Sequence, residues 1–327
     1  ISAMPDGVYE GFDYLEDIPR MGMDVEIKVS VTKKGDSLTF DYVGTSPQVE
    51  SPVNAPLGVT VAGIYYTLIS TTDPTIPVND GCFRPITLNV PLGCMMNPNR
   101  PAPVAGGNVE TSQRNVDVIM RALSKMIPDK VPAASQGTMN NITIGGILDN
   151  GEPWTFYETI GGGNGGRPVS DGVDGIHINM TNTMNTPIET LEAYLPFRFK
   201  AYRLRPDSGG PGEFRGGCGI ERVWTLTSEK ATLSIMAERN KIKPWGLKGG
   251  HGGTLGEFIL VKKDGTETKL PSKVTVELYR DDTLIIRTPG GGGYGDPRDR
   301  APEKVREDVM NGLVSLESAR DIYGLKD

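Results

Sequence analysis

Asp171, Asp174 and His177 stand at three-residue intervals, and Glu189 and Glu192 follow with the same spacing. Carboxylates and an imidazole can exchange protons, and a set of both suits manganese, iron or zinc. The segment that carries them, Gly161–Glu192, opens with five glycines in six positions. It passes through Arg167 and Pro168 and ends in an Asn/Thr run before Pro187. Such a sequence has little helix propensity, so the three-residue interval does not gather ligands on one face. Asp171 and Asp174 each precede a glycine, as in Asx-turns, which weakens the metal reading. We therefore assign no metal here and take Asp171, Asp174, His177 and Glu192 as catalytic candidates lining a site. Glu189 has a local explanation: Thr186 would cap a helix, Pro187 would take its first position, and Glu189 would reach back to the cap.

Glycine loses the most backbone entropy on folding. A long stretch of glycine and short polar side chains thus points to backbone that must close around something. Gly162, Gly163, Gly165, Gly216 and Gly217 are expected to bind substrate, offering N–H groups to anionic oxygens, as is the run 290–293. Arg167 and Arg215, each beside glycines, are expected to fix an anionic substrate or an interface carboxylate. The alternative for both is an ordinary surface salt bridge. None of the clusters is a nucleotide loop. A P-loop requires GxxxxGK[ST] after a strand, and a dinucleotide fingerprint requires a βαβ unit. A nucleophilic triad needs a base, and neither His177 nor His251 lies in a recognisable local signature. Cys218, among glycines, reads more readily as a small buried residue than as a nucleophile. Cys82 and Cys94 read the same way.

With 327 residues, 37% of them hydrophobic, the chain can bury a large core in one large or two medium domains. A net charge of -7 without a basic stripe argues against nucleic acid and anionic membranes as partners. No apolar run approaches ~20 residues, and the start has no basic-then-apolar leader. Three cysteines, odd and sparse, suit a reducing cytoplasm. The chain begins at Ile1 and enters a Pro-Asp-Gly turn; the expectation is a fragment or processed piece of a longer polypeptide.

The elements that must position the site read as β-rich α+β, with mixed sheets, a few helices and Gly-rich loops. Alternating apolar residues predict strands over Asp24–Thr32 and Ser37–Gly44, joined by a hairpin turn. Leu57–Thr71 reads as a buried helix, apolar almost all round. A second helix carries a stripe of Val116, Met120, Leu123 and Met126, with Thr111 as its cap. Asn141–Leu148 and Trp154–Ile160 are strands around a turn. Further strands are expected at Ile220–Leu226, Ala231–Ala237, Glu257–Lys262, Val274–Tyr279 and Thr283–Thr288. Two short helices close the chain, with Pro302 and Ser315 at their starts. The expected division is an N-terminal α+β part (1–160), a Gly-rich β part carrying the site (161–300) and a helical tail (301–327).

In order, the motifs include Asp41-Tyr42-Val43-Gly44-Thr45-Ser46, Gly106-Gly107-Asn108-Val109-Glu110-Thr111 and Gly161–Gly166. They continue with Asp171-Gly172-Val173-Asp174-Gly175-Ile176-His177, Asn185-Thr186-Pro187-Ile188-Glu189, Arg215-Gly216-Gly217-Cys218-Gly219 and Thr288–Gly295. Together they resemble the C-terminal portion of the hydantoinase B/oxoprolinase family, across essentially the entire chain. The resemblance implies an ATP-dependent cyclic amide hydrolase that opens a hydantoin or 5-oxoproline ring. ATP and Mg would be handled by a partner, a hydantoinase A-type subunit, in a hetero-oligomer. A possible divalent metal would be held by an upstream region that this sequence lacks. A subunit of an acetone/acetophenone-type carboxylase, or a non-catalytic assembly module, remain as alternatives.

Overall fold

The computed structural model describes residues 1–19 and 21–326 of the chain; position 327, the end of the expected tail, lies outside the described residues. The chain divides into two compact units, Ile1–Pro132 and Ala133–Asp327. In the first, β1 (Gly7–Ile18), β2 (Met23–Lys34) and β3 (Ser37–Asp41) form an antiparallel meander, followed by α1 (Leu57–Thr71). Strand β4 (Ile86–Asn89) then adds in parallel beside β3, and α2 (Ser112–Met126) packs on β1, β2 and α1. Val25, Ile27, Val29 and Val31 of β2 are all buried, as their alternation predicts. Strand β1 was not foreseen. Its alternation is masked by acids at inward positions: Asp13 and Glu16 are buried, and Asp13 meets Arg114 at 3.3 Å.

Both expected details of the helices change. Though apolar almost all round, α1 is buried on one face only, through Thr60, Gly63, Ile64, Thr67, Leu68 and Thr71. The hydroxyls of Thr67 and Thr71 are satisfied by carbonyls one turn back. Thr111 does not cap α2: it has helical dihedrals at the end of a wider π-type turn, Gly107–Thr111, and its hydroxyl donates to the Val53 carbonyl.

The second unit holds β5 (Asn141–Ile147), β6 (Pro153–Glu158), α3 (Ile188–Tyr194), β7 (Phe197–Leu204), β8 (Ile220–Leu226) and β9 (Lys230–Met236). It continues with β10 (Glu257–Val261), β11 (Glu267–Leu270), β12 (Lys273–Tyr279), β13 (Thr283–Arg287), α4 (Pro302–Met310) and α5 (Leu316–Asp321). Two antiparallel sheets result, ordered β12-β9-β5-β6 and β11-β10-β13-β8-β7. Their inner faces form one core, with Ile144, Leu233 and Ile235 from the first sheet and Trp224, Phe258, Leu284 and Ile286 from the second. Phe197 sits between Trp154 and Trp224, 5.5 and 4.7 Å from their ring centroids. Strands β5 and β6, expected in the N-terminal part, hydrogen-bond into this second unit through β9. The architecture is α+β with mixed and antiparallel sheets. Glycine-rich loops at the margin of the two sheets carry most of the residues singled out above.

Candidate functional site

The glycine clusters pack against one another. A Cβ on Gly163 would lie 1.9 Å from the Gly217 carbonyl oxygen, and one on Gly291 would lie 2.0 Å from that of Asn164. No side chain fits between backbones this close, which is why the sequence there is glycine. The N–H groups follow suit. Gly162 donates to Ile176, Gly163 to Pro289, Gly216 to Gly210 and Gly217 to Asn164. In the run 290–293, Gly291, Gly292 and Gly293 donate to Gly217, Ala134 and His251. Gly162, Gly163, Gly165, Gly216 and Gly217 are all buried. The expectation that these glycines present N–H groups to a substrate thus meets an arrangement in which the donors of Gly162, Gly163, Gly216 and Gly217 are already spent on carbonyls. Close packing of backbone demanded glycine here.

Asp171 and Asp174 sit on the edge of this glycine core and face arginines. Arg300 grips Asp171 with two nitrogens, at 2.7 and 2.9 Å, and the Arg215 backbone N–H donates to the same carboxylate at 2.7 Å. Burial would push the Asp171 carboxyl up, but Arg300 and Arg215 outweigh it and hold it below the usual 3.8. Asp174 accepts from Arg215 at 2.9 Å and from the Cys218 N–H at 2.6 Å. Asp308, on α4, completes the lattice: it lies 2.8 Å from Arg300 and 3.5 Å from Arg215. Arg215 and Arg300 are buried, so Arg215 is an interior ion-pair residue instead of a surface bridge. The lattice ties the C-terminal helices to the glycine loops. Cys218 is fully buried beside it, and burial pushes its thiol up, which keeps it protonated. Arg167, by contrast, is exposed and reaches only the Asp171 carbonyl, at 3.3 Å.

Glu192 is also employed. It accepts the Phe199 N–H at 2.6 Å and lies 3.5 Å from Arg198, pinning α3 to β7. The expected capping box is replaced: α3 starts at Ile188 with Pro187 as its cap and no side-chain cap bond. The Thr186 N–H donates instead to Glu158, at 2.6 Å.

His177 stands apart. It begins a loop that leaves the glycine core at Ile176, where Gly162 and Ile176 exchange two backbone bonds. Both its ring nitrogens are shielded from solvent, and neither has a hydrogen-bond partner among the described residues. A neutral imidazole has one donor and one acceptor, and leaving such a buried group unmet costs about 1–3 kcal/mol. Burial lowers its pKa below the usual 6.5, against an opposing pull from the Glu158 carboxylate. The ring is therefore uncharged at neutral pH and free to accept a proton. Of the four acid–base candidates, His177 alone has its polar atoms uncommitted.

The reading of the residues missed Glu158, Arg222, Arg300 and Asp308. Glu158 ends β6 and Arg222 lies mid-strand in β8; strand alternation alone gives no sign that they meet across the sandwich. Arg300 precedes a helix start, where a surface position is the ordinary expectation. Among the described residues no group of three His, Cys, Asp or Glu could hold a metal ion. Asp171 and Asp174, already gripped by guanidinium groups, offer no free ligand set. No helix among the described residues is long and apolar enough to cross a membrane.

A family model for hydantoinase B/oxoprolinase matches residues 1–297. An uncharacterised protein of Methanocaldococcus jannaschii is 47% identical over 98% of this chain and 55% of its own length. A putative B-type subunit of a D-/L-hydantoinase from a Pseudomonas species is 35% identical over 99% of the chain and 56% of its own. The chain thus spans about half the length of each of these relatives. Among solved structures, the ATP-dependent caprolactamase of Pseudomonas jessenii superposes with a TM-score of 0.88 at 28% identity, covering 100% of this chain and 58% of that one. Motif order, sheet architecture and these matches agree, and the chain belongs to the hydantoinase B/oxoprolinase family.

Proposed function

We propose that this chain is part of the B-type subunit of an ATP-dependent cyclic amide hydrolase. It opens a hydantoin, 5-oxoproline or related lactam ring in the cytoplasm, together with an ATP-binding A-type subunit. Family membership supports the reaction class, and the caprolactamase and hydantoinase relatives support ATP use and a paired subunit. Most N–H groups of the glycine loops are spent on carbonyls, which favours a nucleotide and its Mg held by the partner. A divalent metal, where the family resemblance places one, would belong to residues outside this chain.

The observation that carries the reading is the uncommitted imidazole of His177. Phosphorylation of the ring amide by the partner would make its carbon electrophilic. His177 would then take the proton of the attacking water and return one to the departing ring nitrogen, leaving an acyl phosphate that a second water cleaves to the carboxylate and inorganic phosphate. Asp171, Asp174 and Glu192 act as positioning residues in this scheme, since arginines and backbone N–H groups hold their carboxylates. Arg167, exposed beside the glycine core, is the remaining candidate to meet an anionic substrate group.

The test uses the natural polypeptide with its A-type partner, ATP, and hydantoin, 5-oxoproline and caprolactam in turn. Ring opening should require ATP and both subunits. His177→Ala should lower kcat by about 10²–10⁴-fold, the usual contribution of a positioned acid–base group, without loss of folded protein. Turnover without ATP or partner, or full activity in H177A, would overturn the reading.

A further inference from the structure

The loop that carries His177 is held at both ends, and the distal anchor is unusual. Thr186 donates its N–H to Glu158 at 2.6 Å, and the adjacent Asn185 donates to the Thr159 carbonyl at 2.9 Å. Tyr202 on β7 closes the cluster by donating to the Asn185 side chain at 3.1 Å. Glu158 is only 5% exposed, and its second oxygen is paired with Arg222, itself 2% exposed. The Arg222 guanidinium lies over the Phe199 and Tyr202 rings, 5.0 and 5.1 Å from their centroids. Its Nε and Nη2 atoms have no hydrogen-bond partner among the described residues.

A buried ion pair of this kind is a poor way to gain stability. Desolvating both charges offsets their attraction, and apolar residues of similar volume commonly serve as well or better. Ile142, Ile144, Phe156, Ile160, Trp224 and Ile286 line one small cavity together with the pair, so apolar side chains are the local norm. The pair links the two sheets through one Glu158 oxygen, and the other oxygen is given to a loop amide. Its position needs another reason, and the neighbouring ring supplies one. The Glu158 carboxylate pulls against the burial that lowers the His177 pKa, and the same carboxylate is held by Arg222 and by the Thr186 N–H of the His177 loop.

We propose that Glu158, clamped by Arg222, is a positioning residue that fixes the His177 loop and keeps a negative charge beside the imidazole. The inference rests on the reading of His177 as the proton-transfer group, and it has a readout of its own. When His177 takes the proton of water, a cation forms in a half-buried site. A fixed carboxylate nearby stabilises that cation without bonding to the ring, so both ring nitrogens stay available to substrate. The bond to Arg222 holds the carboxylate where the Thr186 N–H meets it.

Two histidines, His177 and His251, occur in the chain. Labelling histidine in the natural polypeptide and titrating it by NMR, with His251→Gln for assignment, therefore follows His177 directly. Glu158→Gln should move the His177 midpoint downward, while Glu158→Asp, which keeps the charge, should restore much of it. In the complex with the A-type partner, Glu158→Gln should lower kcat by about tenfold with KM little changed, and shift the acidic limb of the pH profile down. An unmoved His177 midpoint in folded E158Q would overturn the proposal, whatever H177A does to turnover. If E158Q does not fold, the unaltered protein still decides. The Thr186 amide should be strongly protected from exchange, and exchange at the rate of an open loop would equally overturn it. The NMR arms stand apart from activity, so failure of the catalytic reading of His177 and failure of the Glu158 role give different results.

Discussion

One glycine-rich stretch holds two regions that behave in opposite ways. From residue 161 to residue 174 its polar groups are largely spent: most glycine N–H groups on carbonyls, Asp171 on Arg300, Asp174 on Arg215. From residue 176 to residue 186 the loop is held at its ends, but His177 keeps both ring nitrogens free. Asp171, Asp174 and His177 share one three-residue spacing, so the sequence alone does not tell the two halves apart. The difference lies in what packs against them. The first half meets buried arginines from two other loops; the second meets the margin of the sandwich. Groups already bonded within the fold contribute to stability, and a group left unbonded at an energetic cost is the better candidate for chemistry.

Substitutions can break that comparison. Gly163→Ala places a Cβ against backbone that cannot yield, and should cost about 3 kcal/mol or more, read as loss of folded protein or a large fall in melting temperature. The same change at Gly58, which has open space around it, should stabilise by about 0.5 kcal/mol. Near-native melting of G163A would mean the glycine layers are looser than the geometry says.

Asp171→Asn should come next, at about 2 kcal/mol. Arg300 is buried and loses one of its two carboxylates, though Asp308 still pairs with it. The decisive readout is urea unfolding set beside kcat of the folded fraction. A stable D171N without activity would return Asp171 to the chemistry that its sequence context suggests.

Acid should separate the two regions by pH window. The Asp171 pKa is lowered, so its contribution to stability is full above the unfolded value of 3.8 and is lost as pH falls below it. The His177 pKa is also lowered, but for a base the consequence begins elsewhere. Below the unfolded value of 6.5 the unfolded chain takes up a proton that the folded ring resists, so stability falls as pH drops from there. A melting series should show both steps, with H177A removing the upper and D171N the lower. A single step near pH 4 would sink the assignment of a shielded imidazole.

Asn185→Ala should have the smallest effect, about 1 kcal/mol, since it removes two partly exposed hydrogen bonds at the loop's distal anchor. Comparable loss from Asn185→Ala and Asp171→Asn would erase the contrast between the two halves.

Much of the frame was legible because it is local. The alternation of β2, the stripe of α2, the Pro302 start and the Ser315 cap all depend on near neighbours. Strand β1 was not, because its inward acids are matched by Arg114, about a hundred residues away. Thr186 looks like a helix cap in its tetrapeptide and is claimed by Glu158 only once the strands are placed.

The sequence alone determined the family, the α+β character and the stretch on which the site question turns, since order of motifs and periodicity are properties of the chain itself. Tertiary structure alone decided what each polar group in that stretch does. Glycine is required equally by a backbone that cradles a ligand and by one that packs on another backbone, and a carboxylate is written the same way whether it faces a substrate or a buried arginine. Only the positions of Gly217, Gly291, Arg300 and Glu158 in space distinguish these cases, because hydrogen-bond capacity is finite and a donor spent within the fold is not available outside it.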